Sequence, residues 1–229
     1  MTTACAVPEA PWPCLVLLCK RPALGHSKQR LARQVGLPAA FAIARHLLAC
    51  ALEDLAEWPG HSVLAPDHGQ HLAWAQGLAA ANECLSQGAG NLGERINQLD
   101  RCLRQQGQQR LIYIGSDCPV LCWADYQRVA NLLQTHDTVL MRARDGGVVL
   151  LASNLPWPEL RALPWSSERL AEALYDCCHA AGQRIAWAGE LFDIDHQQDL
   201  PPLHGCLGHE VRPARLALRR TLEQLAVLA

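Results

Sequence analysis

No run of apolar residues approaches the roughly 20 needed to cross a bilayer as a helix, so no membrane span is expected. There is no basic stripe and no long acidic run. Lys and Arg number 20 against 22 Asp and Glu, a formal charge of −2. Neither a nucleic-acid footprint nor a charged tail is expected from that balance. The eleven cysteines form no C-x-x-C pair and no Cys/His array with zinc spacing. Several, such as Cys14, Cys19 and Cys50, sit in apolar runs where a reduced thiol acts as a small hydrophobe. The count is odd, and the first ten residues lack the apolar core of a secretory signal. A reducing, cytoplasmic setting is the expectation. Also lacking are internal repeats, low-complexity segments, a Walker loop and a dinucleotide fingerprint. Cys118 has no base beside it in sequence and reads as packing rather than as a nucleophile.

What is present is an alternation of apolar runs and helical segments. CLVLLC (14–19) is apolar throughout, bounded by Pro13 and the Lys20-Arg21-Pro22 turn, which predicts a strand buried on both faces. AAFAIARHLLACALEDLAEW (39–58) has Ala and Leu at helical spacing and stops at Pro59-Gly60. Further strands are predicted at 61–65, 82–86, 110–115, 137–142, 148–152 and 184–188. Helices are predicted at 68–80, 92–106, 123–135 and 166–181. Such alternation is the signature of an α/β fold with a mostly parallel central sheet and helices on both faces. No linker interrupts it, so one domain is expected over 14–205, after an extension at 1–13. The tail at 206–229 reads as an amphipathic helix that docks back or meets a partner chain. Oligomeric state stays open.

In open parallel sheets ligands bind beyond the carboxyl ends of the strands. Four stretches fall there. CKRPALGHSKQRLA (19–32) puts Lys20, Arg21, Lys28 and Arg30 around Gly25. Several cations beside free backbone N–H groups suit phosphates, and equally describe a solvated basic loop. Lys28 and Arg30 can share a ligand only if the turn between them is irregular. Gly115-Ser116-Asp117-Cys118-Pro119 ends a strand on a carboxylate. Such an Asp can hold Mg²⁺ against a diphosphate, or simply form a turn or helix cap. Asp145-Gly146-Gly147 reads as a hairpin turn, though paired glycines also let a ligand approach backbone. In ELFDIDHQQDL (190–200), Asp193 and Asp195 face one side of an extended segment and could supply a metal carboxylate.

In this order the stretches resemble DUF2064, a family of small bacterial GT-A-type proteins described as glycosyltransferases. It belongs to the nucleotide-diphospho-sugar transferase superfamily and is related to the molybdenum-cofactor and phospholactate guanylyltransferases. The family's K-x-P-x-x-G-x-x-K-T-R-L reads KRPALGHSKQRL here, with Gln29 for Thr. Its Q-x-x-G-D-L-G-E-R-M reads QGAGNLGERI (87–96), with Asn91 for the acid. G-S-D-C-P is matched in full, D-G-G-Y becomes Asp145-Gly146-Gly147-Val148, and W-S-T becomes Trp165-Ser166-Ser167. D-I-D-T-x-x-D-L reads DIDHQQDL (193–200).

The resemblance implies a single-domain GT-A fold and metal-dependent transfer of a glycosyl group from a nucleotide sugar to a small acceptor. It implies Mg²⁺ or Mn²⁺ on Asp117 and Asp195, with Asp193 as a further candidate. Asp117, Lys28 and Arg30 would form the catalytic centre. Lys20, Gly25, Lys28, Arg30, Arg95 and Ser116 would surround the nucleotide and its phosphates. Asp145, Gly146, Gly147, Trp165 and Ser166 would line the sugar or acceptor side. Arg95 could instead pair with a nearby acid. Two alternatives stand beside this. One is a nucleotidyltransferase using a nucleoside triphosphate and a phosphorylated acceptor. The other is a domain that binds a nucleotide or a partner without turnover, motivated by Asn91 and Val148. His26 and His196 lie near these motifs and read as surface or structural histidines.

Overall fold

Leu15, Leu17 and Cys19 pack into one hydrophobic cluster while Cys14 and Val16 pack into another, so successive side chains of this run feed opposite faces of a sheet. The structure, a computed structural model, describes residues 12–78 and 80–227. The expected extension at 1–13 therefore lies almost wholly outside the described residues.

The strands are β1 (Cys14–Cys19), β2 (Ser62–Pro66), β3 (Glu83–Cys84), β4 (Leu111–Gly115), β5 (Thr138–Ala143), β6 (Val148–Ser153) and β7 (Ile185–Leu191). They form one seven-stranded sheet in the order β3-β2-β1-β4-β6-β5-β7. β1 pairs in parallel with β2 and β4, β2 with β3, and β5 with β7. Only β6 runs against its neighbours, pairing antiparallel with both β4 and β5. The reversal follows from the four-residue connection at 144–147, too short for a parallel crossover.

The helices are α1 (Gln29–Val35), α2 (Leu37–Ala56), α3 (Leu72–Gln76), α4 (Leu92–Gln105), α5 (Trp123–Leu132), α6 (Leu170–Ala180), α7 (Leu200–Cys206) and α8 (Pro213–Val227). Leu48, Ala51 and Leu55 of α2 share a cluster with Tyr126 and Val129 of α5 on one face of the sheet. Ile96, Leu99 and Leu103 of α4 share one with Leu174 and Cys178 of α6 on the other.

Several bounds differ from the sequence reading. The predicted helix 68–80 contracts to a 3₁₀ turn at Gly69–His71 followed by α3, and the strand 82–86 to two residues. The helix predicted from 166 begins at Leu170, because Ser166 takes φ 65°, outside the right-handed helical region. α7 spans the expected boundary between 205 and 206. The tail docks back: Leu218 and Leu222 of α8 share a third cluster with Ile43 and Leu47 of α2 and Leu203 of α7. Arg215 of α8 is fully buried there against Glu53 and Asp54.

Candidate active site

A cleft of about 800 Å³ opens at the carboxyl ends of β1 and β4. Its lining includes Lys20, Lys28, Arg30, Arg95, Ser116, Asp117, Asp145, Gly147, Trp165, Ser166, Asp193 and Asp195. All four sequence stretches thus meet at one place. Of the sequence candidates, Gly25 and Gly146 are not part of the lining. Gly25 takes φ 78° in the turn that carries the first loop, and its carbonyl accepts from the Gln29 amide. Gly146 takes φ 87°, and a Cβ added there would run into the Glu168 carbonyl oxygen. Its own carbonyl accepts from the Ala171 N–H at 2.9 Å, so it ties the hairpin to the first turn of α6.

Lys28 organises the centre. It precedes α1 in the left-handed conformation, φ 49° and ψ 51°. The described non-glycine residues with positive φ are Lys28 and Ser166, and both face the cleft. Backbone strain of this kind is typically stored at functional sites. The turn puts the Lys28 ammonium 3.0 Å from Asp117 Oδ2 and 3.0 Å from Asp195 Oδ1. Arg30 reaches Asp195 Oδ2 at 3.4 Å. Lys28 and Arg30 meet one carboxylate because the helix starts only at Gln29, leaving Lys28 off the regular helical path.

Asp117 is delivered by β4, with α5 starting six residues later behind Cys122, so it caps no helix. Ser116 Oγ donates to Asp117 Oδ1 at 3.4 Å. The Asp117 carbonyl accepts from the Ile194 N–H at 3.0 Å, which seats the D-I-D segment beside it. Ile194 is fully buried, leaving Asp193 and Asp195 on the cleft side. Asp199 Oδ2 accepts from the N–H groups of Asp195 and His196 at 2.9 and 2.7 Å, fixing the turn that follows. His26 lines the cleft and His196 does not.

Burial works against the charge on Lys28, but Asp117 and Asp195 together outweigh it and raise its pKa. Asp195 is held below the usual carboxylate range: burial opposes this, and Lys28 and Arg30 prevail. Asp193 goes the other way, pushed up to about 6 by burial, then by Asp145 and Asp195. Burial pushes the Cys118 thiol up to about 12, consistent with a packing role.

Among the described residues, Arg95 pairs with no acid. Its guanidinium donates to Gln87 Oε1 at 3.2 Å and to the Asn91 carbonyl at 3.4 Å. Gln87 is buried and donates to the carbonyls of Ala65 and Cys19 at 2.7 and 3.4 Å, so it holds Arg95 against the ends of β1 and β2. Sequence reading passed over Gln87 as an individual residue; Asp199 stands out in sequence as the acid one helical turn beyond Asp195, and its part here is the cap at 196–199. Asn91 caps α4: its side chain accepts from the Glu94 N–H at 3.0 Å while Glu94 Oε2 accepts from the Asn91 N–H at 2.8 Å. Its amide also donates to the Arg161 carbonyl at 2.9 Å, which a carboxylate could not do. The 157–167 segment is further pinned by Trp165 Nε1, which donates to the Leu160 carbonyl at 2.9 Å.

Asp117, just beyond β4, and Asp195, beyond β7, converge on one cation, the Lys28 ammonium. Among the described residues, no three His, Cys, Asp or Glu side chains are grouped to cage a metal. The pair suits Mg²⁺ or Mn²⁺ brought with a diphosphate, since Mg²⁺ commonly takes one or two carboxylates plus phosphate oxygens.

The model of a family described as "Uncharacterized protein conserved in bacteria (DUF2064)" matches residues 48–167, just over half of the chain. The chain belongs to the DUF2064 family. That match includes Asp117, the Asp145-Gly147 hairpin and Trp165; the first loop and the D-I-D segment join them through the geometry of the cleft. No curated protein matches the chain. A structure from Desulfovibrio desulfuricans G20, provisionally described as a nucleotide-diphospho-sugar transferase, is 21% identical with a TM-score of 0.82. The alignment covers 94% of this chain and 99% of that one. A cytidylyltransferase from Leptospira borgpetersenii is 9% identical, covers 96% and 97% of the two chains, and has a TM-score of 0.53. This DUF2064 protein therefore has the nucleotide-diphospho-sugar transferase fold, the GT-A architecture expected above.

Proposed function

We propose that this DUF2064 protein transfers a glycosyl group from a nucleoside-diphosphate sugar to a small acceptor, assisted by Mg²⁺ or Mn²⁺. The observation that carries this reading is the division of charge along the cleft. The cations Lys20, Lys28, Arg30 and Arg95 come from the loop after β1, the first turn of α1 and the first turn of α4, on the β3-β2-β1-β4 half of the sheet. The hairpin and the segment after β7, on the β6-β5-β7 half, contribute Asp145 and Asp193, beside Asp195, which is paired with Lys28 and Arg30. A diphosphate fits the first half. A hydroxylic acceptor fits the second better than a phosphorylated one, which two carboxylates would repel.

In this reading Lys28 and Arg30 bind the diphosphate and stabilise the charge that develops on it as the glycosyl bond breaks. The metal, when bound, supplies Lewis-acid neutralisation of the leaving diphosphate. Asp117 and Asp195 would hold it. Asp193, pushed up to about 6, is poised to take a proton from an acceptor hydroxyl near neutral pH.

Nucleotidyl transfer is the second reading. The same cations suit a triphosphate, and the Leptospira protein of this fold is a cytidylyltransferase. Product analysis separates the two. Glycosyl transfer releases a nucleoside diphosphate; nucleotidyl transfer consumes a nucleoside triphosphate and releases pyrophosphate. The non-catalytic alternative loses one of its two motives, because Asn91 has a structural role of its own. Asp117→Asn should slow turnover at least about 100-fold, or about 2.7 kcal/mol of barrier. An unchanged rate would remove Asp117 from the mechanism.

A further inference from the structure

The centre of the cleft is neutralised from within. Two carboxylates, Asp117 and Asp195, face two cations, Lys28 and Arg30. The side chain of Lys28 is only 8% exposed, while that of Arg30 is 59% exposed and its contact longer, so Lys28 carries most of the pairing. The ammonium sits between the same two carboxylates that would hold a divalent ion, and Lys28 and Arg30, which would meet the diphosphate, are already bound to acids. A divalent cation entering alone must share this place with Lys28. A diphosphate entering alone must compete with Asp117 and Asp195. Arriving together, they carry opposite charge and free both sets of partners at once.

We propose that Lys28 is an exchangeable counter-ion: it neutralises Asp117 and Asp195 in the free protein and passes to the phosphates when a divalent cation and a diphosphate bind together. The inference rests on the reading of the cleft as a diphosphate site. It makes binding of the two ligands mutually dependent, because each removes the competitor of the other. It also gives the left-handed turn at Lys28 a purpose. Off the helical path, this side chain can swing between the two sets of partners without unwinding α1.

The test is Mn²⁺ binding without nucleotide, followed by the paramagnetic resonance signal of the free ion. Lys28→Met should bind Mn²⁺ about 10-fold or more tighter than the natural protein, and adding Asp117→Asn should abolish the gain. Lys28→Gly, which accepts φ 49° without strain, carries the same expectation should methionine disturb the turn. In a second arm, thermal unfolding is followed with UDP, GDP, CDP and ADP, each with and without Mn²⁺. The natural protein should be stabilised by one of these diphosphates and Mn²⁺ together by more than the sum of their separate effects. Equal Mn²⁺ affinity in the natural protein and both Lys28 variants, with diphosphate and Mn²⁺ still stabilising the natural protein, would overturn the exchange and leave the diphosphate site standing. No response to Mn²⁺ or to any diphosphate in any variant would overturn both.

Discussion

Replacing Arg215 with methionine should be among the most destabilising single changes in this protein. Its side chain is fully buried and donates at every nitrogen. Nε reaches the Pro119 carbonyl at 3.0 Å, and Nη1 reaches the Cys50 carbonyl at 3.1 Å and Glu53 at 2.9 Å. Nη2 reaches both oxygens of Asp54, at 2.8 and 2.9 Å, and the Leu121 carbonyl at 3.1 Å. Methionine fills much of the volume but leaves Asp54 with Arg212 and Tyr126 alone and strips three carbonyls of a donor. Removing one member of a buried ion pair costs about 3–5 kcal/mol. For a chain of this size each kcal/mol lowers the melting temperature by about 2–4 °C, so the fall should be about 6–20 °C. Arg215→Lys keeps the charge but not the planar fork, and should fall between the two. Thermal and urea unfolding of the three proteins measure this. A loss below about 1 kcal/mol for Arg215→Met would refute the view that this guanidinium fastens α8 to α2 and to the segment after Asp117.

Two further predictions concern the backbone and the acid limit. Gly146→Ala should destabilise by about 1–3 kcal/mol, because the new Cβ meets the Glu168 carbonyl and φ is positive. Gly147→Ala should be milder, since its nearest obstacle is the movable Asp145 side chain; equal urea midpoints for the two variants would contradict this. Hydrogen bonds from the Arg212 side chain, above all, hold the Glu210 carboxyl down at about 2 against an ordinary 4.5. A depressed carboxylate stabilises the fold above its unfolded value and loses that contribution as pH falls towards the folded one. Glu210→Gln should therefore flatten the decline in urea midpoint between pH 4.5 and 2, and unchanged slopes would dismiss the interaction.

Much of the fold is legible in the sequence where physics is local. CLVLLC is apolar without interruption, and β1 has the predicted bounds. The Pro59-Gly60 stop and the 3.6-residue pattern mark out most of α2. Strand order is not local, and nothing in the apolar pattern says that β4 lies between β1 and β6. The Asp145-Gly146-Gly147 turn hints at a hairpin, and the reversed β6 follows from it. The 157–169 segment was harder to read. Residues 166–169 look helical in sequence, but Ser166 leaves the helical region, Trp165 pins the segment to itself through the Leu160 carbonyl, and Asn91 ties it to the start of α4. The cleft is legible as four motifs, because cations, acids and glycines after apolar runs mark strand ends. The pairing of Lys28 with Asp195, 167 residues away, is set by tertiary structure alone. Gly146 illustrates the limit of motif reading: the backbone needs it, yet it faces Glu168 rather than the cleft.

The central claim is that this cleft binds a nucleoside diphosphate through Asp117 and a divalent ion. Thermal unfolding with a panel of nucleotide sugars, nucleoside diphosphates and triphosphates, with and without Mg²⁺ or Mn²⁺, tests it directly. A ligand at 100 times its Kd adds about 2.7 kcal/mol to the native state. That should raise the melting temperature by about 5–11 °C for a chain of this length. The account predicts such a shift for a nucleotide sugar with metal present, and its loss in Asp117→Asn. No shift with any nucleotide, or a metal-dependent shift of equal size in Asp117→Asn, would contradict it.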